Sequence, residues 1–476
     1  MSYEAVIGLE IHVQLNCATK LFCDCANTAA EKANTHICPT CIWLPGAAVQ
    51  LSEDALKKAA LTCLALNCDL SPVSAFDQKV YYYPDLPKGY QLSQHHMPLA
   101  HGGWIDITGE DGKAKRLRIH HVHMEEDVAK LIHETEGQNR ISLVDFNRAG
   151  APLVEIVTEP DMRSPNDAMA FLRALRTRIR YAKTAECSME SGTMRCDANI
   201  SLRPAGSDAF FTKVEVKNMN SVKAVGNAIA YEIQRQEKII AEGGQVHMHT
   251  RLWDPDKNVT TPMRDKFAGP CVPDPSVSKI RMDKENIDTL KALLPEMPAQ
   301  KQERFSDQYG LTGEEAALMS TERDIADYFE ILAEKGVHTR MAAQWISGRL
   351  LPALKENNQE INNTVLTAQR AAGLLCLLED ESVNTKQARD IMALMFTSDK
   401  SASEIADEKG YKQITDMDAL SAILDDVLRE NPDAVANLQS GKKQASGFII
   451  GQAMQKSGGR ANPKILSDLL NGKKFS

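Results

Sequence analysis

Glu10 and His12 stand two residues apart in VIGLEIHVQL, a carboxylate and an imidazole at the one spacing an extended chain uses to bring side chains together. In a strand, alternate residues share a face. Gly8, Glu10, His12 and Gln14 therefore point one way, and Ile7, Leu9, Ile11 and Val13 the other. Such a pair can bind a cation, but any half-buried strand with a wet face has the same alternation. Recurrence separates the two readings. In IHHVHMEED the odd positions His121, His123, Glu125 and Asp127 align, with Asp127 close to a turn. Glu155 interrupts the apolar run of Leu153, Val154, Ile156 and Val157. CDANISLRP sets Asp197, Asn199, Ser201 and Arg203 against Ala198, Ile200 and Leu202; TKVEVKN sets Lys213, Glu215 and Lys217 against Val214 and Val216.

Five strand-like segments, each with a carboxylate on its polar face, predict an acid-lined surface if they are neighbours. Crowded carboxylates raise one another's pKa unless cations sit among them. Hard divalent ions with oxygen ligands, Mg²⁺ or Mn²⁺, suit that role, and they commonly bridge phosphoryl oxygens.

A second cluster is CDCANTAAEKANTHICPTC, where Cys23, Cys25, Cys38 and Cys41 form two close pairs. Four thiolates in this pattern fit one tetrahedral, structural Zn²⁺; a redox dithiol or unrelated buried thiols are the competing readings. VYYYPDLPKGYQLSQ (80–94) combines prolines, a glycine, tyrosines and Lys88. It reads either as a cradle for a base or RNA end or as an ordered surface loop.

The elements that must position these residues follow from periodicity. Residues 1–285 mix alternating stretches with few helical patterns, which predicts an α+β domain on a mostly antiparallel sheet. One helix starts at Ser164-Pro165, with Ala168, Phe171, Leu172, Leu175 and Ile179 inward and Arg173, Arg176 and Arg180 on a solvated face. Another runs from Val222 to Gly243-Gly244. From 286 helical periodicity takes over, as in Leu420, Ile423, Leu424, Val427 and Leu428. The polar TSDKSASE (397–404) reads as a hinge between a helical domain, 286–400, and a small tail, 401–476.

The chain's 476 residues, 43% apolar and 25% charged, are globular in composition. The first residues lack a secretory pattern, and AAGLLCLL (371–378) is too short to span a bilayer, so a cytoplasmic, non-membrane protein is expected. Net charge is −9, yet the last 36 residues hold seven Lys/Arg and one Asp. That tail either attracts a polyanion or is a solvated terminus.

VIGLEIHVQL, the paired cysteines, YYPDLPKGYQLSQ, HMEEDVAKLIHE, SLVDFNRAGAPLVEIVTEPDMRSP, RCDANISLRP, VEVKNMNS, TRLWD and GRANPK occur in that order. Together they resemble the B-subunit family of the aspartyl/glutamyl-tRNA(Asn/Gln) amidotransferases, from about residue 3 to 472. The resemblance implies a catalytic domain similar to the glutamine synthetase/guanido kinase fold, then a helical domain and a YqeY-like, tRNA-binding tail. It implies a heterotrimer with a glutaminase A subunit and a small C subunit. ATP would phosphorylate the side-chain carboxylate of Glu-tRNA(Gln) or Asp-tRNA(Asn), and ammonia from the A subunit would displace phosphate. By position, the family's catalytic and Mg²⁺/Mn²⁺ residues fall on Glu10, His12, Glu125, Glu155, Asp197 and Glu215. Its cofactor contacts fall on Lys88, Tyr90, Asn199, Arg203 and Lys217, and its zinc ligands on Cys23, Cys25, Cys38 and Cys41.

The chain departs from the family pattern at four places. KFAGPCVPDP (266–275) replaces a longer tyrosine-rich stretch, Ser191 stands for a glutamate, Gln78 for a basic residue, and Trp43 for a glycine. Two readings therefore compete with the leading one: a non-catalytic RNA-binding or assembly protein, and a kinase-amidotransferase for another carboxylate.

Overall fold

The computed structural model describes all residues except 1, 31, 111, 138, 264–268, 358, 412–413, 415, 440–442, 459 and 474–476. Part of the divergent 266–275 stretch and part of the basic tail thus lie outside the described residues. The chain forms two compact units, Met1–Pro298 and Ala299–Ser476.

The strands of the first unit, in chain order, are β1 (Tyr3–Gln14), β2 (Asp69–Leu70), β3 (Val73–Val80), β4 (Tyr90–Met97), β5 (Ala100–His101), β6 (Trp104–Thr108), β7 (Ala114–Glu126), β8 (Lys130–Glu136), β9 (Asn139–Asp145), β10 (Pro152–Thr158), β11 (Met194–Pro204), β12 (Val214–Met219), β13 (Thr250–Asp254), β14 (Val259–Pro262), β15 (Cys271–Pro273) and β16 (Ile280–Arg281). Its helices are α1 (Glu53–Ala65), α2 (Pro165–Tyr181), α3 (Val222–Ala241) and α4 (Lys284–Ala292). The main sheet runs β14-β13-β12-β11-β1-β10-β7-β5-β2, with β6 also on β7. Pairing is antiparallel except between β12 and β13. The α+β architecture with a mostly antiparallel sheet is as the sequence predicts.

The period-two pattern decides which face is covered. Ile7, Leu9, Ile11, Val13, Val154, Ile156, Ala198, Ile200, Val214 and Val216 are buried in one core with Phe171, Leu172, Leu175 and Ile179 of α2 and Val225, Ala228 and Ile229 of α3. Fully burying the Val, Leu, Ile and Phe side chains among them stabilises by about 1.5–3 kcal/mol each. Both helices start where the sequence predicts: Ser164 Oγ accepts from Asp167 N with Pro165 following, and Ser221 Oγ accepts from Ala224 N. Such caps contribute about 1 kcal/mol each. The helices cross closely at Gly226, where a Cβ would lie 2.5 Å from Met169 Sδ.

A smaller sheet places β3 between β15 and β16, with β4 also on β3. It docks on the main sheet through β4 and β7, where Met124 N donates to Gln94 Oε1 (2.9 Å). Strands β8 and β9 form a separate hairpin.

The second unit is helical. The segment 397–404, expected as a hinge, is tied down: the Arg370 guanidinium donates to the carbonyls of Met395 (3.1 Å), Ser398 (2.6 Å) and Lys400 (2.7 Å). Ser401 then opens helix Ala402–Glu408 with a capping box. Near the C-terminus, helices Met417–Glu430, Lys443–Lys456 and Pro463–Gly472 share a core of Leu420, Leu424, Val427, Ile449, Ala453, Leu466 and Leu470. The basic stretch is therefore part of a packed domain. Lys456 pairs with Asp426 (3.5 Å) and Glu430 (2.6 Å), and Lys473 with Asp425, so some of its charge is offset locally.

Candidate functional site

The five acidic segments are consecutive neighbours in the sheet, in the order β12-β11-β1-β10-β7. Register aligns their polar positions: Glu10 lies opposite Asp197, His12 opposite Glu155, Glu155 opposite His123, and Asn199 opposite Glu215. Directly opposite residues in an antiparallel pair share a face, so one row of chemistry-bearing side chains crosses the sheet. The helices cover the other face.

Distances make the row a network. His12 Nε2 lies 3.3 Å from Glu125 Oε1, 3.3 Å from Glu155 Oε2 and 3.9 Å from Glu10 Oε1. His123 Nε2 lies 3.2 Å from the same Glu155 oxygen. At the far end, Lys217 Nζ pairs with Asp197 and with Glu215 Oε1 (2.8 Å), and Thr250 Oγ1 donates to Glu215 Oε2 (2.9 Å). Three overlapping sets offer donor atoms within 4.8 Å of one another: Glu10, His12 and Glu155; His123, Glu125 and Glu155; Glu10, Asp197 and Glu215. Glu10 joins the two ends.

Burial and mutual repulsion shape the protonation states. Burial pushes the Glu125 carboxyl up, with only partial relief from His12. Burial and the Glu155 charge together push Glu10 up. Glu155 is held well below the carboxylate range because His123 and His12 outweigh its burial. Burial disfavours the His12 imidazolium, but the Glu155 hydrogen bond and the charges of Glu125, Glu155 and Glu10 outweigh it and raise the pKa to about 9. Lys217, half-buried, is raised by Asp197 and Glu215 against the effect of desolvation. Two carboxyls pushed toward protonation within an oxygen-rich donor set mark a surplus of negative charge that a hard divalent cation relieves. The residues present fit such an ion.

Two cations, Lys79 and Arg148, come from outside the five acidic strands. Lys79, exposed on β3 of the smaller sheet, has its pKa raised by the charges of Glu125, Glu155 and Glu10. Arg195, opposite His12 on β11, and Arg148 both pair with Asp127 (3.0 and 3.2 Å), which lies just past the end of β7. Only tertiary structure brings these groups together.

The cofactor candidates separate. Asn199 and Lys217 lie on the acidic row. Arg203 is six residues beyond Asp197 on β11, roughly 20 Å along an extended strand, and its Nε donates to Glu4 (2.6 Å). The structure does not bring it to the row. Lys88 borders a different recess, lined by Phe22, Cys23, Cys41, Trp43, Lys88 and Glu126 among others, and Tyr90 packs behind it against Trp43. Lys88 pairs with Glu126 and sits over the rings of Trp43 (4.8 Å) and Tyr90 (5.3 Å).

The four cysteines converge in this region. Cys23 Sγ is 3.4 Å and Cys38 Sγ 3.6 Å from Cys41 Sγ, and all four sulfurs lie within 4.8 Å of one another. Sulfurs about 2.3 Å from a tetrahedral ion stand about 3.8 Å apart, so the cluster can hold a metal. A hydrogen bond from Cys23 lowers the Cys41 thiol to about 4 against the opposing effect of burial, with help from Lys20. The fully buried Lys20 also anchors the loop, donating to the carbonyls of His36 (2.8 Å) and Phe146 (3.2 Å).

The departures from the family pattern acquire local explanations. Trp43 has φ +53°, the left-handed region that favours glycine, and its ring meets Tyr90 edge-on at 5.7 Å. Gln78 Nε2 donates to Asp274 Oδ2 (2.7 Å), joining β3 to the end of the divergent stretch. That stretch pairs through β15 with β3, where Gly269 has no room for a Cβ: one would lie 2.1 Å from Val80 O. Ser191 bonds only locally among the described contacts, to Ser188 and Thr193.

An antiparallel sheet with acids on its open face, ahead of a helical unit, defines a two-part protein with a catalytic sheet domain. The family described as GatB/GatE catalytic domain matches residues 5–288, and that described as GatB domain matches 327–473. The chain is 58% identical over 473 residues to an aspartyl/glutamyl-tRNA(Asn/Gln) amidotransferase B subunit of Syntrophus aciditrophicus, covering 99% of each. It is 42% identical to the corresponding B subunit of Carboxydothermus hydrogenoformans (99% and 98% covered) and to that of Moorella thermoacetica (99% of each). This chain belongs to the B-subunit family of the aspartyl/glutamyl-tRNA(Asn/Gln) amidotransferases. Among the described residues no helix is long and apolar enough to cross a membrane.

Proposed function

We propose that the chain is the B subunit of a tRNA-dependent amidotransferase that uses ATP to phosphorylate the side-chain carboxylate of Glu-tRNA(Gln) or Asp-tRNA(Asn). Ammonia, supplied by a glutaminase A subunit within a complex that includes a small C subunit, then replaces the phosphate to give the amide. The observation that carries this reading is the unbroken row of acids across five adjacent strands. Full-length identity to subunits so named supports it.

The chemistry needs activation because a free carboxylate would have to expel oxide. In this reading Glu10, His12, Glu125, Glu155, Asp197 and Glu215 hold Mg²⁺ or Mn²⁺, which supplies charge neutralisation between nucleotide phosphates and the attacking carboxylate. Before an ion binds, protonated His12 together with His123 holds Glu155 ionised and its oxygens available as ligands; His12 would give up its proton on ligating the ion. Lys217 holds Asp197 and Glu215 in place and presents a cation toward phosphate, with Asn199 beside it. Lys79 adds a second cation from β3 of the smaller sheet. Lys88, backed by the Tyr90 ring, forms part of the wall of the neighbouring recess, and Cys23, Cys25, Cys38 and Cys41 hold a structural Zn²⁺ that shapes it. The packed C-terminal helices bind the tRNA through Arg460 and Lys464.

Reconstitution tests the proposal: the purified chain is combined with its A and C partners, ATP, Mg²⁺, glutamine and mischarged tRNA. Conversion of Glu-tRNA(Gln) or Asp-tRNA(Asn) is expected. Intact tRNA binding with no conversion would refute the enzymatic reading.

A further inference from the structure

Glu155 lies on a strand flanked by two imidazoles. In the register of the main sheet, His12 of β1 is its direct neighbour on one side and His123 of β7 on the other. Both rings reach the same atom: His12 Nε2 stands 3.3 Å and His123 Nε2 3.2 Å from Glu155 Oε2. The rings differ in what else they face. His12 Nε2 also lies near Glu125 and Glu10, so it is the nitrogen placed to ligate an ion among these carboxylates. His123 is only 6% exposed, and its buried Nδ1 has no hydrogen-bond partner among the described residues, so nothing competes with its bond to Glu155. The backbone explains why this ring is held still. Strict alternation would place His120 on the core side of β7, but Val157 pairs with His121 and Thr158 with Ile119, so the strand bulges at His120. His120 is exposed, and its Nδ1 lies 2.7 Å from His121 Nδ1. The His121 ring stacks on that of His123, with centroids 5.2 Å apart and planes at 15°. His123 is thus wedged between a stacked ring and a carboxylate.

We propose that His123 is a positioning residue for the acidic row: it aims Glu155 through Nε2 and remains its partner after His12 has turned its own Nε2 to an ion. This rests on the reading of the row as the site of Mg²⁺ or Mn²⁺. An imidazole nitrogen bound to a metal uses its lone pair and carries no proton, so a ligating His12 no longer donates to Glu155. His123 is then the imidazole left to hold the carboxylate. Groups hydrogen-bonded behind a metal ligand fix its orientation and hence the affinity of the site. Because Nε2 is at the far edge of the ring and Nδ1 makes no bond, the role depends on reach as well as polarity.

The test titrates the full chain with Mn²⁺, after Zn²⁺ has been supplied for the cysteine cluster, and reads free Mn²⁺ by electron paramagnetic resonance. His123→Leu keeps an apolar group in the buried position and removes the donor; Mn²⁺ affinity should fall about 10–100-fold, the range for losing a partner behind a metal ligand. His123→Gln places an amide N–H near the position of Nε2 and should recover most of that loss. His123→Asn, an amide too short to reach, should not. In the assembled complex, His123→Leu should raise the Mg²⁺ concentration for half-maximal tRNA-dependent ATP hydrolysis by a similar factor, with a smaller change in the rate at saturating Mg²⁺. A ring that only packs would lower the melting temperature of all three variants and leave Mn²⁺ affinity alone. Leu matching wild type, or Gln and Asn binding Mn²⁺ equally, would overturn the inference; should His123→Leu fail to fold, the comparison of Gln with Asn decides. Glu155→Gln in the same titration separates the two claims. If it binds Mn²⁺ as wild type does, the row is not the ion site and the inference falls with that reading; if it loses Mn²⁺ while His123→Leu does not, the inference alone falls.

Discussion

The cysteine cluster and the acidic row are both groups of anionic ligands, but they are assembled in opposite ways. All four sulfurs come from residues 23–41 of one loop, anchored by the buried Lys20. The acidic row draws on residues from Glu10 to Glu215, brought together only by strand order. In the proposed reading, a metal joins Lys20 in organising the loop that carries its own ligands. A row fixed by backbone register is in place before any ion arrives, and its cost is electrostatic: burial and repulsion push Glu10 and Glu125 up. The first arrangement suits structure and the second suits chemistry.

That contrast predicts opposite phenotypes. The largest effect is expected for Glu155→Gln, which keeps the shape but removes the charge that His12 and His123 share. tRNA-dependent ATP hydrolysis by the assembled complex should fall roughly 10²–10³-fold, the scale for losing one preorganised electrostatic group. tRNA affinity should not change; if it falls instead, Glu155 serves binding and the contrast fails. Cys41→Ser should do the reverse, releasing metal by elemental analysis and lowering the melting temperature of the chain by roughly 5–10 °C. An unaltered melting temperature would mean that the loop holds its shape without a metal.

A smaller effect separates the two regions by pH. Folded His12 keeps its proton up to about 9, above the usual 6.5. It therefore adds stability that is complete below pH 6.5 and is lost as pH rises through 9, on the order of 3 kcal/mol. In buffer without divalent ions, urea midpoints for wild type should fall across that window, and His12→Gln should flatten the decline. A parallel decline in both would assign the pH dependence elsewhere.

The smallest effect concerns the second unit. Because Ile449, Leu466 and Leu470 are core residues, removing residues 441–476 would unfold a domain. Arg460→Gln and Lys464→Gln are the sharper probes. Each should reduce the slope of log affinity for tRNA against log salt by about 0.7–0.9 if its cation meets a phosphate. Unchanged slopes would reassign the basic stretch to structure.

The sequence reveals as much of each region as local spacing encodes. Paired cysteines are visible because the ligand geometry is local. Glu10, His12, Glu125, Asp197 and Glu215 are visible as polar positions of alternating strands, and Glu155 as a charge inside an apolar run. Their adjacency is not, because hydrogen-bonded strand order is a long-range property. Lys79 approaches from a second sheet that no alternation in the first can signal. His120 is misplaced by alternation because one extra residue in β7 shifts the faces. The 397–404 segment looks like a hinge by composition, yet Arg370 holds the carbonyls of Ser398 and Lys400 and a capping box fixes Ser401.

That the acidic row drives phosphorylation of the substrate carboxylate is tested most directly by oxygen tracing. Glu-tRNA(Gln) with ¹⁸O in both side-chain carboxylate oxygens is incubated with the reconstituted complex, ATP, Mg²⁺ and glutamine, and the released phosphate is analysed by mass. Transfer to the carboxylate followed by ammonia attack on the acyl carbon leaves one substrate oxygen in each phosphate. One ¹⁸O per phosphate formed with amide is the expected result; amide formation with unlabelled phosphate would contradict it.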